Sequence, residues 1–83
     1  MQIEFKKAAF TRGISEANIL HAFMNPNYDG PIEEDGLENR FLRLGFDMNG
    51  NLLEIMYNEY EDQVCIFHVM KCRSIFFHLL EPL

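Results

Sequence analysis

An α+β domain is the fold class this chain predicts, and three observations predict it. Three apolar runs of strand length occupy the second half, and Asn49-Gly50 joins the first two, a dipeptide that marks tight hairpins. A capped helical segment precedes them and an apolar helical stripe follows them. The expected architecture is a small antiparallel β-meander of three strands, with a candidate fourth strand at the N-terminus. Two N-terminal helices and a short C-terminal helix would cover one face of the sheet.

The elements follow in order. In Gln2 to Phe5, Ile3 and Phe5 alternate with Gln2 and Glu4, the pattern of a short strand. Lys6 to Arg12 is a weak helix that Gly13 can cap. The next helix starts from Ser15, a good N-cap; Glu16 suits the positive end of the dipole, and Ile14 can staple onto Ile19. Pro26 ends this helix near Met24 or Asn25. Asn27 to Asn39 holds Gly30, Pro31 and Gly36 among five acids, so a long acidic loop is expected. Arg40 to Asp47, Leu52 to Asn58 and Gln63 to Met70 are the three strands, with Glu59 to Asp62 as the second turn. From Arg73 to Leu80, Ile75, Phe76, Leu79 and Leu80 form one helical stripe ahead of Pro82.

Length and composition point to one domain over residues 1–83. A chain of 83 residues that is 48% hydrophobic can bury one modest core. No run approaches the roughly 18 to 20 apolar residues of a membrane span, and the N-terminus lacks a secretion-signal pattern. Cys65 and Cys72 are too few for a disulfide scaffold, so free thiols and a cytoplasmic location are expected.

The net charge of −6 opposes nucleic-acid binding unless the acids are segregated. Five of the thirteen acids fall between Asp29 and Glu38, and three between Glu59 and Asp62. The remainder of the chain keeps five acids against all seven bases, a local balance of +2. A basic surface is compatible with that distribution, and so is an ordinary solvated one.

His68, Lys71 and Arg73 form the candidate site, because a titrating ring and two positive charges meet nowhere else. Alternation would put Val64, Ile66, His68 and Met70 on one face and Cys65, Phe67, Val69 and Lys71 on the other. His68 and Lys71 would then converge only where the strand ends or bulges near Met70. The plain alternative is a histidine hydrogen-bonded at a sheet face. Arg40 and Arg43, three apart, point to opposite faces, so only one can share the site; arginine suits phosphate. Tyr57 could stack or transfer a proton from the central strand, with Glu54 on its opposite face, although both also read as ordinary sheet residues. Cys65, His68 and Cys72 are soft metal ligands, but Cys65 and His68 would face opposite ways without a fourth ligand, so no metal or other cofactor is expected.

Several local motifs occur in a telling order. Lys7-Ala8 precedes Arg12-Gly13-Ile14-Ser15, then come Ala17 and Phe23 before Asn25-Pro26. Arg40-Phe41-Leu42-Arg43-Leu44-Gly45 leads through the hairpin to Leu52-Leu53-Glu54-Ile55-Met56-Tyr57, and Val69-Met70-Lys71-Cys72-Arg73 closes the series. In this order the chain resembles the BrnT-like toxins of bacterial toxin-antitoxin systems, a branch of the RelE-type ribonuclease superfamily. The resemblance implies a RelE-like antiparallel sheet flanked by helices and a metal-independent endoribonuclease. It also implies a cognate antitoxin, typically carrying a ribbon-helix-helix DNA-binding module, as partner. On this reading His68 does acid/base work, Lys71, Arg73 and Arg40 hold the phosphate, and Arg43, Tyr57 and Arg12 bind RNA. The chain departs from the family in its acidity and in having no Lys or Arg after Arg73. Those departures fit a second reading, a non-catalytic toxin-like module that binds a small basic protein. The sequence leaves open whether the chain forms homo- or hetero-oligomers.

Overall fold

The computed structural model describes residues 1–34, 36 and 38–80. Its elements are strand β1 (Gln2–Phe5), the 3-10 segment η1 (Lys7–Phe10), helix α1 (Glu16–Met24), strands β2 (Pro26–Pro31), β3 (Phe41–Phe46), β4 (Leu52–Tyr60) and β5 (Gln63–Lys71), and the 3-10 segment η2 (Ser74–Leu80). They form one five-stranded sheet in the order β1-β5-β4-β3-β2. β1 runs parallel to β5 and every other pairing is antiparallel. The expected antiparallel sheet of three strands and a candidate N-terminal fourth, with two N-terminal helices, is therefore corrected, among the described residues, to a five-stranded mixed sheet with a single α-helix.

Each difference has a local cause. Lys7–Phe10 is a single 3-10 turn closed by Ala9 N–H to the Lys6 carbonyl at 2.9 Å, too short to propagate as an α-helix. Pro26–Pro31, of which Asn27 to Pro31 is expected as loop, is an edge strand antiparallel to β3. Proline is tolerated there because an edge strand needs only half of its ladder groups, and Asp29 lies opposite Arg43. The terminal stripe, expected as a short helix, is the 3-10 segment Ser74–Leu80. Asp35, Glu81 and the expected stop at Pro82 lie outside the described residues.

Helix α1 follows its signals. Ser15 accepts the Asn18 N–H at 3.2 Å as N-cap, and Ile14 packs on the core cluster that contains Ile19. The hairpin at Asn49-Gly50 is wider than a two-residue turn. Phe46 pairs with Leu52, and the five residues between them are organised by buried Asp47. Its carboxylate accepts the backbone N–H groups of Asn49 and Asn51, each at 2.9 Å.

The core lies on the sheet face covered by α1 and η1. Phe23, Ile19 and Ala9 meet Ile55, Tyr57 and Ile66 there. Gly45 permits this close contact, because a Cβ on it would collide with the Ala22 carbonyl. The opposite face carries η2.

One irregularity decides which residues share a face. Met56 pairs with His68 while Tyr57 pairs with Ile66, leaving Phe67 as an extra residue in β5. This bulge reverses the alternation. Val64 and Ile66 stand on the helix-covered face before it, and Val69 and Lys71 stand there after it. The uniform alternation expected for β5 is corrected accordingly: His68 joins Glu54, Met56 and Cys65 on the η2 face.

Candidate functional site

Glu54 is the centre of the site, and sequence reasoning gave it no role. It sits on β4, the central strand, and its side chain is 0% exposed. A buried carboxylate must be paired and hydrogen-bonded to remain charged. Arg73 meets that need by donating its backbone N–H at 2.9 Å, Nε at 3.0 Å and Nη2 at 2.8 Å. His68 Nε2 lies 2.9 Å from Glu54 Oε2.

Burial pushes the Glu54 carboxyl up. The Arg73 guanidinium and N–H, the His68 contact and the charge of Arg73 outweigh it and hold the carboxyl below its ordinary value. Reciprocally, the hydrogen bonds and charge of Glu54 raise Arg73. An ionised carboxylate only accepts, so His68 Nε2–H is the donor to Glu54. In the neutral ring Nδ1 then carries the free lone pair. The His68 side chain is 28% exposed and that of Arg73 46%, so both reach solvent from a buried anchor.

His68 and Arg73 therefore meet, as the sequence suggests, but through Glu54 and because of the Phe67 bulge, not through a bend at Met70. Lys71 is not brought to them: it is exposed opposite Leu53, on the helix-covered face by register. Arg40 lies over the Phe67 ring at 5.2 Å, next to the bulge. Arg12 is exposed beyond η1 and makes no hydrogen bond or ion pair among the described residues.

Arg43 and Tyr57 belong to a second cluster on the other face. Arg43 donates Nη1 to the Phe23 carbonyl at 2.8 Å and pairs through Nε with Asp29 at 3.3 Å. The Tyr57 hydroxyl donates to Asp29 at 2.6 Å. Burial, reinforced by the hydrogen bond to Asp29, pushes Tyr57 up to about 12, which removes it from proton transfer at neutral pH. These three side chains fasten β2 and α1 to the sheet.

Cys65 and His68 share a face, contrary to the expected alternation, yet no cluster of three metal-ligating side chains forms among the described residues. Burial and the charge of Glu54 raise the Cys72 thiol. Among the described residues no helix is long and apolar enough to cross a membrane.

Two residues escaped the sequence reading. Glu54 left one signal, a lone acid inside the apolar run Leu52-Leu53-Glu54-Ile55-Met56. Asp29 left none, because it lies among prolines and a glycine. Neither a protein-family model nor a curated protein matches the chain. Function is therefore read from this geometry and from the ordered motifs.

Proposed function

We propose that this domain is an endoribonuclease toxin of a toxin-antitoxin module, with His68 as the acid/base residue. The observation that carries the reading is the buried Glu54 carboxylate holding His68 by Nε2, in a ring that is 28% exposed and whose Nδ1 has no hydrogen-bond partner among the described residues. RNA cleavage without metal starts with attack of a ribose 2′-hydroxyl on the adjacent phosphate. A neutral His68 accepts the hydroxyl proton at Nδ1, while Glu54 stabilises the resulting imidazolium. The ring then returns a proton to the departing 5′-oxygen. Arg73 offers Nη1 to the phosphate oxygens, since Nε and Nη2 are bonded to Glu54. Arg40, near the bulge, supplies a further cation on the approach to the site. The ordered resemblance to BrnT-like toxins supports the reading and adds a cognate antitoxin as partner.

The test is cleavage of single-stranded RNA by the purified chain in the presence of chelator. His68→Ala should lower the rate at least about 100-fold, the usual contribution of a general acid/base, while the protein still folds and loses only about 1–3 kcal/mol of stability with the hydrogen bond to Glu54. A variant that keeps the full rate rules His68 out. A neighbouring reading frame for a ribbon-helix-helix protein would support the partner.

A second reading has its own observation. The two acidic segments lie at one end of the sheet, because Asn39 Oδ1 accepts the Glu59 N–H at 2.8 Å and the Asn39 carbonyl accepts Asn58 Nδ2 at 2.7 Å. Glu33, Glu34 and Glu38 are thereby brought to the same end as Glu59, Glu61 and Asp62, all six exposed. A non-catalytic module would use this pole to bind a small basic protein. Salt-sensitive binding to such a partner, with no RNA cleavage, selects this reading.

A further inference from the structure

η2 is built unlike the rest of the molecule. It is a 3-10 segment of seven residues, none of them buried, whereas such segments seldom exceed about four. Ile75 and Phe77 are 62% and 47% exposed, and the packing of η2 is chiefly against edge strand β2. Its leading end, in contrast, is fastened at the middle of the sheet. Arg73 binds Glu54 through its backbone N–H and its guanidinium, and the guanidinium lies 5.4 Å from the Phe76 ring. Leu44 and Glu54 are fully buried on that face, while α1 and η1 pack on the other.

We propose that η2 is a displaceable strap latched by the Glu54–Arg73 pair, and that its opening regulates the candidate site. The regulatory half rests on the nuclease reading above; the strap itself does not. In the closed form Glu54 occupies Nε and Nη2, one edge of the Arg73 fork, so a phosphate meets only Nη1. Lifting η2 frees that edge for two-point phosphate binding and admits water to Glu54, which avoids an unpaired buried charge. No side chain of η2 is fully buried, so this opening takes place without global unfolding.

Backbone amide exchange of the full chain tests the strap. The Arg73 N–H reports the latch and the Phe76 N–H, bonded to the Arg73 carbonyl at 3.0 Å, reports the strap. Both should exchange at least about 100-fold faster than the Ile55 and Val69 amides of the central strands, and independently of low denaturant concentrations. Leu79→Ala, distant from the latch, should speed both by about tenfold and leave the central amides within about twofold. Glu54→Gln should do the same at the Phe76 amide. Equal exchange of strap and central amides in the wild type, or parallel acceleration in Leu79→Ala, overturns the strap. RNA cleavage by Leu79→Ala reads the regulatory half: a higher rate than wild type supports it, and an unchanged rate despite faster exchange overturns it. Absence of cleavage in every variant, with the exchange pattern intact, removes the nuclease reading together with the regulation that rests on it and leaves the strap standing.

Discussion

At the residue scale the decisive fact is that Glu54 keeps its charge inside the fold. Its carboxyl is held below the ordinary value of 4.5, so its contribution to stability is complete above that pH and is lost as pH falls through the lower folded value. Asp47 behaves likewise: burial raises it, and the N–H groups of Asn51 and Asn49 more than compensate. Thermal melts should therefore be flat from neutrality to about pH 5 and then fall. Glu54→Gln and Asp47→Asn should each flatten part of that fall. Tyr57 has the opposite sign. With its folded value raised from 10.0 to about 12, the stability it supports is full below pH 10 and is lost as pH rises through that interval. Tyr57→Phe should remove this alkaline loss and cost about 1 kcal/mol at neutral pH, the net worth of a hydroxyl hydrogen bond. It should leave RNA cleavage unchanged, because the hydroxyl serves Asp29 on the face away from His68.

At the element scale the chain is legible where local chemistry sets the structure and illegible where distant pairing does. Ser15, Glu16 and Pro26 bound α1 from sequence alone, and the apolar runs locate β3, β4 and β5. β2 could not be read, because Pro26-Asn27-Tyr28-Asp29-Gly30-Pro31 is made of turn formers that become a strand only beside Arg43. The parallel pairing of β1 with β5 joins residues about sixty apart in the chain, and nothing in either segment encodes it. The site divides in the same way. His68 and Arg73 stand out as functional types, whereas Glu54 reads from sequence as an ordinary sheet residue on the face opposite Tyr57, and only its full burial marks it out. Packing of α1 on β3 gives a further test. Gly45→Ala should destabilise the fold by about 1–3 kcal/mol in chemical denaturation, the usual cost of overpacking, since the Ala22 carbonyl leaves no room for a methyl group.

At the scale of the whole molecule, the net charge of −6 is segregated along the strands. The β4–β5 turn and the segment clamped to it by Asn39 form an acidic end, and Lys71 and Arg73 lie at the other end of β5. An overall negative protein can thus present a basic end to a polyanion, since charges farther away than the roughly 8 Å Debye length are largely screened at physiological salt. If RNA approaches from that end, Lys71→Ala should weaken binding and reduce the slope of log affinity against log salt by about 0.7, the value for one phosphate contact to a single strand. Glu61→Gln, at the opposite end, should leave the slope unchanged in the same titration.

Phe67 has a consequence for how relatives of this chain are to be compared. Helix-side positions of β5 are even-numbered up to Ile66 and odd-numbered from Val69, so the strand changes parity at one residue. Deleting that residue would restore plain alternation and still leave His68 on the Glu54 side and Val69 on the helix side. An ungapped alignment with a strand that lacks the bulge will therefore set His68 against a helix-side residue and miss the partner of Glu54.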